Sequence, residues 1–366
     1  MFGLAGMLGL LLMGVAAEGA LATLSTADEE DSDQDEALPD APQDGAIEQP
    51  SLEESAALKA FWGAFNPNAT DTDSATHSDS DSRTATLSED MPAPIDPNLI
   101  LSGGETGGFL YGMGGHDTLM GSDADDFMRG QDGNDWLVPG EGDDYAQGDL
   151  GDDTLIGSTG QDDLRGGDGN DMVMGGADDD VLAGQNGDDS LAGEDGNDTL
   201  NAGAGDDVLF AGAGDDALTG GDGNDVLIAG TGQDLLSGGN GHDTLDGRAT
   251  GLDFLNGGAQ NDTIFVGAGD LAQGDDGADS FILTVPPLGA ASATNMATVQ
   301  DFVQGEDQLV LSYDPNAGDA PQFSLVTQHD GAGGTDIIVD DITIARILSD
   351  APTTLTPADI TLRPIS

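Results

Sequence analysis

A nine-residue repeat runs without a slip from residue 112 to residue 246 of the 366-residue chain. Typical units are residues 166–174 (GGDGNDMVM) and 220–228 (GGDGNDVLI). The sixth position is Asp in all fifteen units and the eighth is apolar in all fifteen, while the fourth is Gly in thirteen, with Ala124 and Asp178 as exceptions. A fixed register of this kind indicates stacked structural repeats. It argues against the disordered acidic polymer that composition alone suggests.

Each position of the unit has a physical role. Glycine at positions one to four allows the backbone to take positive φ and turn tightly. Positions seven to nine, such as residues 118–120 (TLM), are β-formers and predict a short strand whose eighth residue points inward. Two units then form an 18-residue coil with two strands and two turns, and coils stack about 4.8 Å apart. The sequence therefore predicts an all-β fold, a parallel β-roll.

The charge balance predicts the partner. Seventy-one Asp and Glu face seven Lys and Arg, which gives a formal charge of −64. This charge excludes nucleic acid and anionic membrane as partners and favours a cation. Carboxylates about 5 Å apart repel by roughly 3 kcal/mol at an effective dielectric of 20. Because one apolar side chain per unit makes a thin core, we expect folding to require Ca²⁺, which prefers hard oxygen ligands.

The predicted calcium ligands are the position-six aspartates, which fall on two edges of the roll. Asp117 is expected to share an ion with Asp135, and Asp126 with Asp144. Eight aspartates on one edge and seven on the other leave seven and six gaps, so the register predicts about 13 sites. The full set is Asp117, Asp126, Asp135, Asp144, Asp153, Asp162, Asp171, Asp180, Asp189, Asp198, Asp207, Asp216, Asp225, Asp234 and Asp243.

Position five lies on the solvent side of the predicted turn. Its Asp and Asn residues, such as Asn134 and Asp143, are expected to shape the turn rather than bind the ion. His116 and His242 also occupy this position. Two interpretations stay open for them, a transition-metal ligand or a solvated turn residue, and a lone histidine on a turn favours the second.

The unit G-G-x-G-x-D-x-U-x, as in residues 166–174, resembles the calcium-binding nonapeptide of the RTX (repeats-in-toxin) family. The resemblance implies a right-handed parallel β-roll, folding outside the cell, and type I secretion with an uncleaved C-terminal signal, here near Ser366. Some units depart from the pattern. Position one is Pro139 in one unit and Ala202, Ala211 or Ala229 in others, and residues 247–256 carry one extra residue. Asp253, Asp262 and Asp279 resemble irregular continuations, which puts calcium sites there in doubt.

The predicted domain organisation has four parts. Residues 1–24 are apolar apart from Glu18 and are interpreted as a signal peptide, a membrane anchor or an assembly tail. Residues 25–99 are predicted to be a disordered acidic linker with a short helix near 51–65, where Ser51 and Glu54 form a capping box. That helix is interpreted as a docking element for a partner or as resting on its own protein. Residues 100–282 form the β-roll, and 283–366 form a C-terminal β cap with the secretion signal.

The sequence predicts a protein that is not an enzyme. Neither H-E-x-x-H nor G-x-S-x-G occurs, and four scattered histidines form no cluster. The expected function is a secreted or cell-surface, calcium-binding structural protein whose partners are calcium ions, the type I secretion machinery and a cell surface. The alternatives are an adhesin or partner-binding module, using Phe61 and Trp62 or the outer roll face, and the non-catalytic part of an RTX enzyme or toxin.

Overall fold

A computed structural model describes residues 98–104, 106–285, 296–316, 320–328, 334–348 and 355–365. Residues 1–97 lie outside the described residues, and with them the predicted apolar segment, nearly all of the predicted linker and the predicted helix near 51–65. Ser366 also lies outside them. Within the described ranges the regular structure is β, apart from a single 3-10 turn at Pro357–Asp359.

Twenty-eight strands are present in the described ranges. In chain order they are β1 (Ile100–Ser102), β2 (Phe109–Gly114), β3 (Thr118–Ser122), β4 (Phe127–Asp132), β5 (Trp136–Glu141), β6 (Tyr145–Leu150), β7 (Thr154–Thr159), β8 (Asp163–Asp168), β9 (Met172–Ala177), β10 (Val181–Asn186), β11 (Ser190–Asp195), β12 (Thr199–Ala204), β13 (Val208–Ala213), β14 (Ala217–Asp222), β15 (Val226–Gly232), β16 (Leu235–Asn240), β17 (Thr244–Asp246), β18 (Thr250–Gly251), β19 (Phe254–Ala259), β20 (Thr263–Val266), β21 (Leu271–Asp276), β22 (Ser280–Thr284), β23 (Ala297–Val299), β24 (Gln308–Tyr313), β25 (Phe323–Thr327), β26 (Thr335–Val339), β27 (Ile342–Ile347) and β28 (Ile360–Pro364).

The strands of the regular repeat are longer than the sequence predicted. A typical strand, β9, covers positions seven to nine of one unit and one to three of the next, and the chain turns only at positions four to six. The prediction of a three-residue strand was wrong because position one has an ordinary extended backbone. Positive φ is confined to positions two and four, as at Gly167 (137°) and Gly169 (136°). Glycine at position one is therefore favoured by limited space rather than by backbone conformation, and the space admits Ala202 in one of the units.

Strands alternate between two sheets of fourteen strands each. Sheet A contains β1 and its odd-numbered successors to β17, and sheet B contains β2 and its even-numbered successors to β16. Within the regular repeat, neighbours in each sheet are parallel and in register at an offset of eighteen residues, as in the pairing of Leu119 with Leu137 and Leu182 with Leu200. These pairings confirm the predicted all-β fold and its parallel β-roll.

Position eight supplies the core. Its side chains point between the two sheets and are at most 1% exposed from Leu119 to Leu245, including the small Ala146. Position one also faces inward, as the burial of Ala202 shows. Because the interior receives one large and one small residue from each unit, it is one narrow apolar column. Such a column gives each coil few partners other than its two neighbours.

The extra residue of the irregular unit is absorbed without loss of the stacking. Strand β15 pairs with two short strands, β17 and β18, because the inserted loop interrupts its partner. Arg248 in this loop forms an ion pair with Asp246 and lies 4.3 Å above the ring centroid of Phe265. The next unit, 257–265, has nine residues and the one after it, 266–273, has eight, so β19 pairs with β21 at an offset of seventeen residues and the parallel stacking continues.

The C-terminal region continues both sheets. In sheet A, β22, β24 and β28 pair in parallel. In sheet B, β23 pairs in parallel with β27, whereas β27, β26 and β25 are antiparallel. Phe281 and Phe302 extend the apolar column into this region. The change to antiparallel hairpins ends the coil and forms a β cap. No helix in the described ranges is long and apolar enough to cross a membrane.

Candidate metal centre

The position-six aspartates lie at the turns and face inward. All fifteen are buried, with exposed fractions of 1–4%. The fold places them there because positions four and five turn the chain and the strand begins again at position seven. The structure thus brings the predicted aspartates together in two columns of carboxylates, one on each edge of the roll. Successive members of a column are eighteen residues apart in the sequence. We call these columns the aspartate ladders.

One carboxylate oxygen of each aspartate links neighbouring coils. The backbone N–H of Asp153 donates to Oδ1 of Asp171 at 2.7 Å, and that of Asp171 donates to Oδ1 of Asp189 at 2.8 Å. The same bond recurs on the other edge, where the N–H of Asp162 donates to Oδ1 of Asp180 at 2.8 Å. Each turn is therefore hydrogen-bonded to the preceding turn on the same edge through a ladder carboxylate.

The second oxygen, Oδ2, is buried and has no hydrogen-bond partner within the described part of the chain along most of both ladders. Asp126 differs, because its Oδ2 accepts the N–H of Ser122 at 2.8 Å and its hydroxyl at 3.0 Å. Buried carboxylate oxygens without a partner are costly and indicate a ligand. The residues concerned are Asp135, Asp144, Asp153, Asp162, Asp171, Asp180, Asp189, Asp198, Asp207, Asp216, Asp225, Asp234, Asp243, Asp253 and Asp262.

Position-one glycine leaves the space beside this oxygen. A Cβ on Gly148 would lie closer than 3.0 Å both to Oδ2 of Asp153 and to the carbonyl oxygen of Gly166, the equivalent residue in the next coil. A carboxylate oxygen and a backbone carbonyl therefore converge on the same small volume. Hard oxygen atoms of these two kinds are the usual ligands of Ca²⁺, so the residues present fit a calcium ion.

Burial shifts the titration of these aspartates. Desolvation raises the pKa of Asp153 to about 8 and that of Asp162 to about 7, although a backbone N–H donated to each carboxylate acts in the opposite direction. Further along, burial raises the pKa of Asp171 to about 6 and that of Asp225 to about 7. A charged carboxylate is unfavourable there without a counter-charge. A bound divalent cation supplies that counter-charge.

Side chains alone do not complete a coordination shell. No group of three or more His, Asp or Glu side chains converges as a metal cluster anywhere in the described ranges. Since Ca²⁺ takes six to eight oxygen ligands, the remaining ligands would have to be turn carbonyls and water. This agrees with turns that consist largely of glycine.

Position five forms a second, outer set of bonds. The N–H of Asn170 donates to Oδ1 of Asp152 at 3.0 Å, and the N–H of Asp188 donates to Oδ1 of Asn170 at 3.0 Å. These bonds run in the opposite direction along the roll to those of the aspartate ladders. His116 takes the same place, and its Nδ1 accepts the N–H of Asn134 at 2.8 Å. Position five therefore has a structural use in the turn, as the sequence predicted for its Asp and Asn residues.

The ladders extend past the regular repeat. The N–H of Asp234 donates to Oδ1 of Asp253, the N–H of Asp253 to Oδ1 of Asp270, and the N–H of Asp279 to Oδ1 of Asp307. Asp253, Asp262, Asp270 and Asp279 are buried like their counterparts. Sequence reasoning missed Asp270 because the insertion shifts Asp253 and Asp262 by one residue, and a count of nine from Asp262 then reaches Leu271 rather than Asp270. The signal available was the pattern of an Asp followed two residues later by a small or apolar residue.

Residues 111–146, 147–182, 183–218, 219–250 and 249–270 match the RTX calcium-binding nonapeptide repeat (four copies). No curated protein matches the chain. Among solved structures, the extracellular lipase LipA from Serratia marcescens aligns with 14% identity and a TM-score of 0.21. That alignment covers 68% of this chain and 40% of the lipase.

The fold and the turns define a class, the calcium-binding parallel β-rolls. Within it, residues 111–270 match the RTX calcium-binding nonapeptide repeat, so this part of the chain is a run of RTX repeats.

Proposed function

We propose that this chain is a secreted or cell-surface structural protein whose β-roll folds when Ca²⁺ binds at its turns outside the cell. The observation that supports the proposal is the row of buried Oδ2 atoms without hydrogen-bond partners in the aspartate ladders. Beside several of these oxygens, as at Asp153, Asp162 and Asp225, the position-one carbonyl oxygen of the next coil borders the same space. The ion pairs of Arg129, Arg165 and Arg248 are made with acidic residues outside the aspartate ladders.

The fifteen position-six aspartates would hold the ions together with carbonyl oxygens of the turns. A bound cation offsets the charge of two ladder carboxylates and ties adjacent coils together. The regular register gives about 13 ions. The continued ladder adds candidate ligands at Asp253, Asp262, Asp270 and Asp279, whose burial matches that of the regular positions.

Secretion follows from the family rather than from the site. RTX proteins typically leave the cell through type I secretion systems. A chain that cannot fold without calcium is suited to export in an unfolded state. The calcium dependence proposed for the roll would delay folding until the chain reaches a calcium-rich medium. A non-catalytic, structural role suits a roll whose buried polar groups are assigned to metal binding. Adhesion to a foreign surface is the alternative.

Calcium stoichiometry tests the proposal. The full chain is stripped with chelator and dialysed against buffered calcium, and bound metal is then measured per chain. We expect about 13 ions or slightly more, and a loss when Asp171 and Asp189 are both replaced by Asn. The matched control replaces Asp152 and Asp188, which are exposed position-five residues on the turns of Asp153 and Asp189, on the same edge of the roll. Binding of only one or two ions, or an equal loss in both variants, would refute the proposal.

Localisation separates the two functional candidates. Retention of the protein on the cells that secrete it supports the structural role, whereas binding to foreign cells after release supports the adhesin.

A further inference from the structure

The outer face of sheet B carries stacked aromatic rings on its first three coils. Phe109, Phe127 and Tyr145 occupy position seven in adjacent strands β2, β4 and β6. The ring centroids of Phe109 and Phe127 are 5.6 Å apart, and those of Phe127 and Tyr145 are 4.7 Å apart. We call these three residues the aromatic ladder. Phe109 is 75% exposed, the largest value among the exposed apolar side chains of the described residues.

Polar residues with balanced charge border the aromatic ladder. Tyr111, 43% exposed, lies 6.2 Å from Phe127 between ring centroids. Arg129 pairs with Asp149 at 2.7 Å, and Arg165 lies 5.4 Å above the ring of Tyr145. Two of the seven basic residues of the chain thus lie beside the ladder. On a molecule with a charge of −64, an apolar segment with acidic residues meets less repulsion here than on a face that carries only acidic side chains.

We propose that residues 51–65 of the same chain (SLEESAALKAFWGAF) dock on the aromatic ladder and cover the first coils of the roll. In the helix that the sequence predicts, Leu58, Trp62 and Phe65 lie at i, i+4 and i+7 on one face. They span about 10.5 Å at a rise of 1.5 Å per residue. The aromatic ladder spans two strand spacings, about 9.6 Å. One apolar side chain of the segment therefore meets each ring of the ladder.

Connectivity favours this occupant over a separate molecule. Thirty-two residues (66–97) join the segment to Asn98, which enters the first coil of the roll. A flexible linker of that length has a root-mean-square span of about 30 Å. Tethering at this distance gives an effective concentration of about millimolar.

Fluorescence of the calcium-loaded full chain tests the proposal, because the chain has two tryptophans. Trp136→Phe leaves Trp62 as the single reporter. We expect a blue-shifted Trp62 emission that acrylamide quenches severalfold less than after the further change Phe109→Ser with Phe127→Ser. The matched control is Val181→Ser with Leu235→Ser, at exposed position-seven sites of the same sheet. This control should leave the emission and the quenching unchanged.

Crosslinking provides a second readout, since the chain has no cysteine. Gly63→Cys with Gln147→Cys should form an intramolecular disulfide in dilute, calcium-loaded protein. The control, Gly63→Cys with Ser237→Cys, places the second cysteine on a distant strand of the same face and should form none. The far-UV circular dichroism of each variant reports separately whether the roll has folded. A solvent-exposed Trp62 in the folded parent would overturn the proposal in favour of an external partner. Crosslinks that appear only between chains, with a doubled mass in solution, would overturn it in favour of a second copy.

Discussion

Protonation should partly replace calcium in folding the roll. Burial raises the pKa of Asp153 from 3.8 to about 8, so keeping this carboxylate charged in the metal-free fold costs about 6 kcal/mol at 1.36 kcal/mol per pKa unit. Asp162 and Asp189, each raised to about 7, cost about 4 kcal/mol each on the same scale. Together they come to about 14 kcal/mol, near the upper end of the typical stability of a domain, about 5–15 kcal/mol.

The direction of the pH dependence follows from these shifts. Because the folded pKa values exceed the unfolded one, the metal-free fold binds more protons than the unfolded chain, and its stability falls as the pH rises. The stability gained by protonation is present below about pH 4 and is lost as the pH rises through 6 to 8. In metal-stripped buffer with excess chelator, we expect the β signal of far-UV circular dichroism to appear as the pH falls from 8 to 5.

A pair of single substitutions separates this effect from general charge repulsion. Asp153→Asn removes a buried charge but keeps the oxygen that accepts the N–H of Asp135, whereas Asp152→Asn removes an exposed charge on the adjacent residue. In chelator, Asp153→Asn should move the folding midpoint to higher pH, with about 6 kcal/mol as the upper limit of the gain. Asp152→Asn should barely move it. In calcium the order reverses, because Asp153→Asn removes a ligand. Equal shifts in chelator, or a β signal that increases with pH, would refute the reasoning.

Two further substitutions test the turns. In a calcium titration, Gly166→Ala should raise the calcium concentration at half-folding, because the added Cβ would lie closer than 3.0 Å to Oδ2 of Asp171. The reverse change at the same position of another unit, Ala202→Gly, should not raise that concentration. Replacing Asp171 and Asp189 with Ala should raise the same midpoint and weaken hydrogen-exchange protection most in β8 to β11, the strands that adjoin those two turns. Asp168→Ala, at an exposed residue near the first of these turns, should leave both the midpoint and the protection unchanged. A uniform loss of protection along the roll would contradict a local ligand role.

The stacking of the roll could be predicted from the sequence in detail. An unbroken nine-residue period fixes the eighteen-residue offset, and the offset fixes which aspartates are neighbours. The burial of Leu119 and its counterparts could be predicted from the same nine-residue period, since only position eight is apolar in every unit.

The hydrogen bonding of the aspartate carboxylates inside the turn could not be predicted from the sequence. The roles of the two oxygens of Asp153, one bonded to the preceding coil and one without a hydrogen-bond partner, depend on side-chain orientation that a period does not specify. The strand length was underestimated because glycine at position one suggests a turn, whereas it is extended and excludes a Cβ from a crowded interior. Asp270 was missed because the extra residue in 247–256 moves Asp253 and Asp262 one residue late. The missing residue in 266–273 then places Asp270 eight residues after Asp262 instead of nine.

The most direct test is a calcium titration of the full chain followed by far-UV circular dichroism, starting in excess chelator at pH 8. We expect a coil spectrum that becomes β-rich cooperatively at about 0.1–1 mM Ca²⁺, the range of extracellular modules. Magnesium should be much less effective, and chelator should reverse the change. A chain already β-rich in chelator at pH 8, and unchanged when calcium is added, would contradict the idea that metal ions hold the aspartate ladders together.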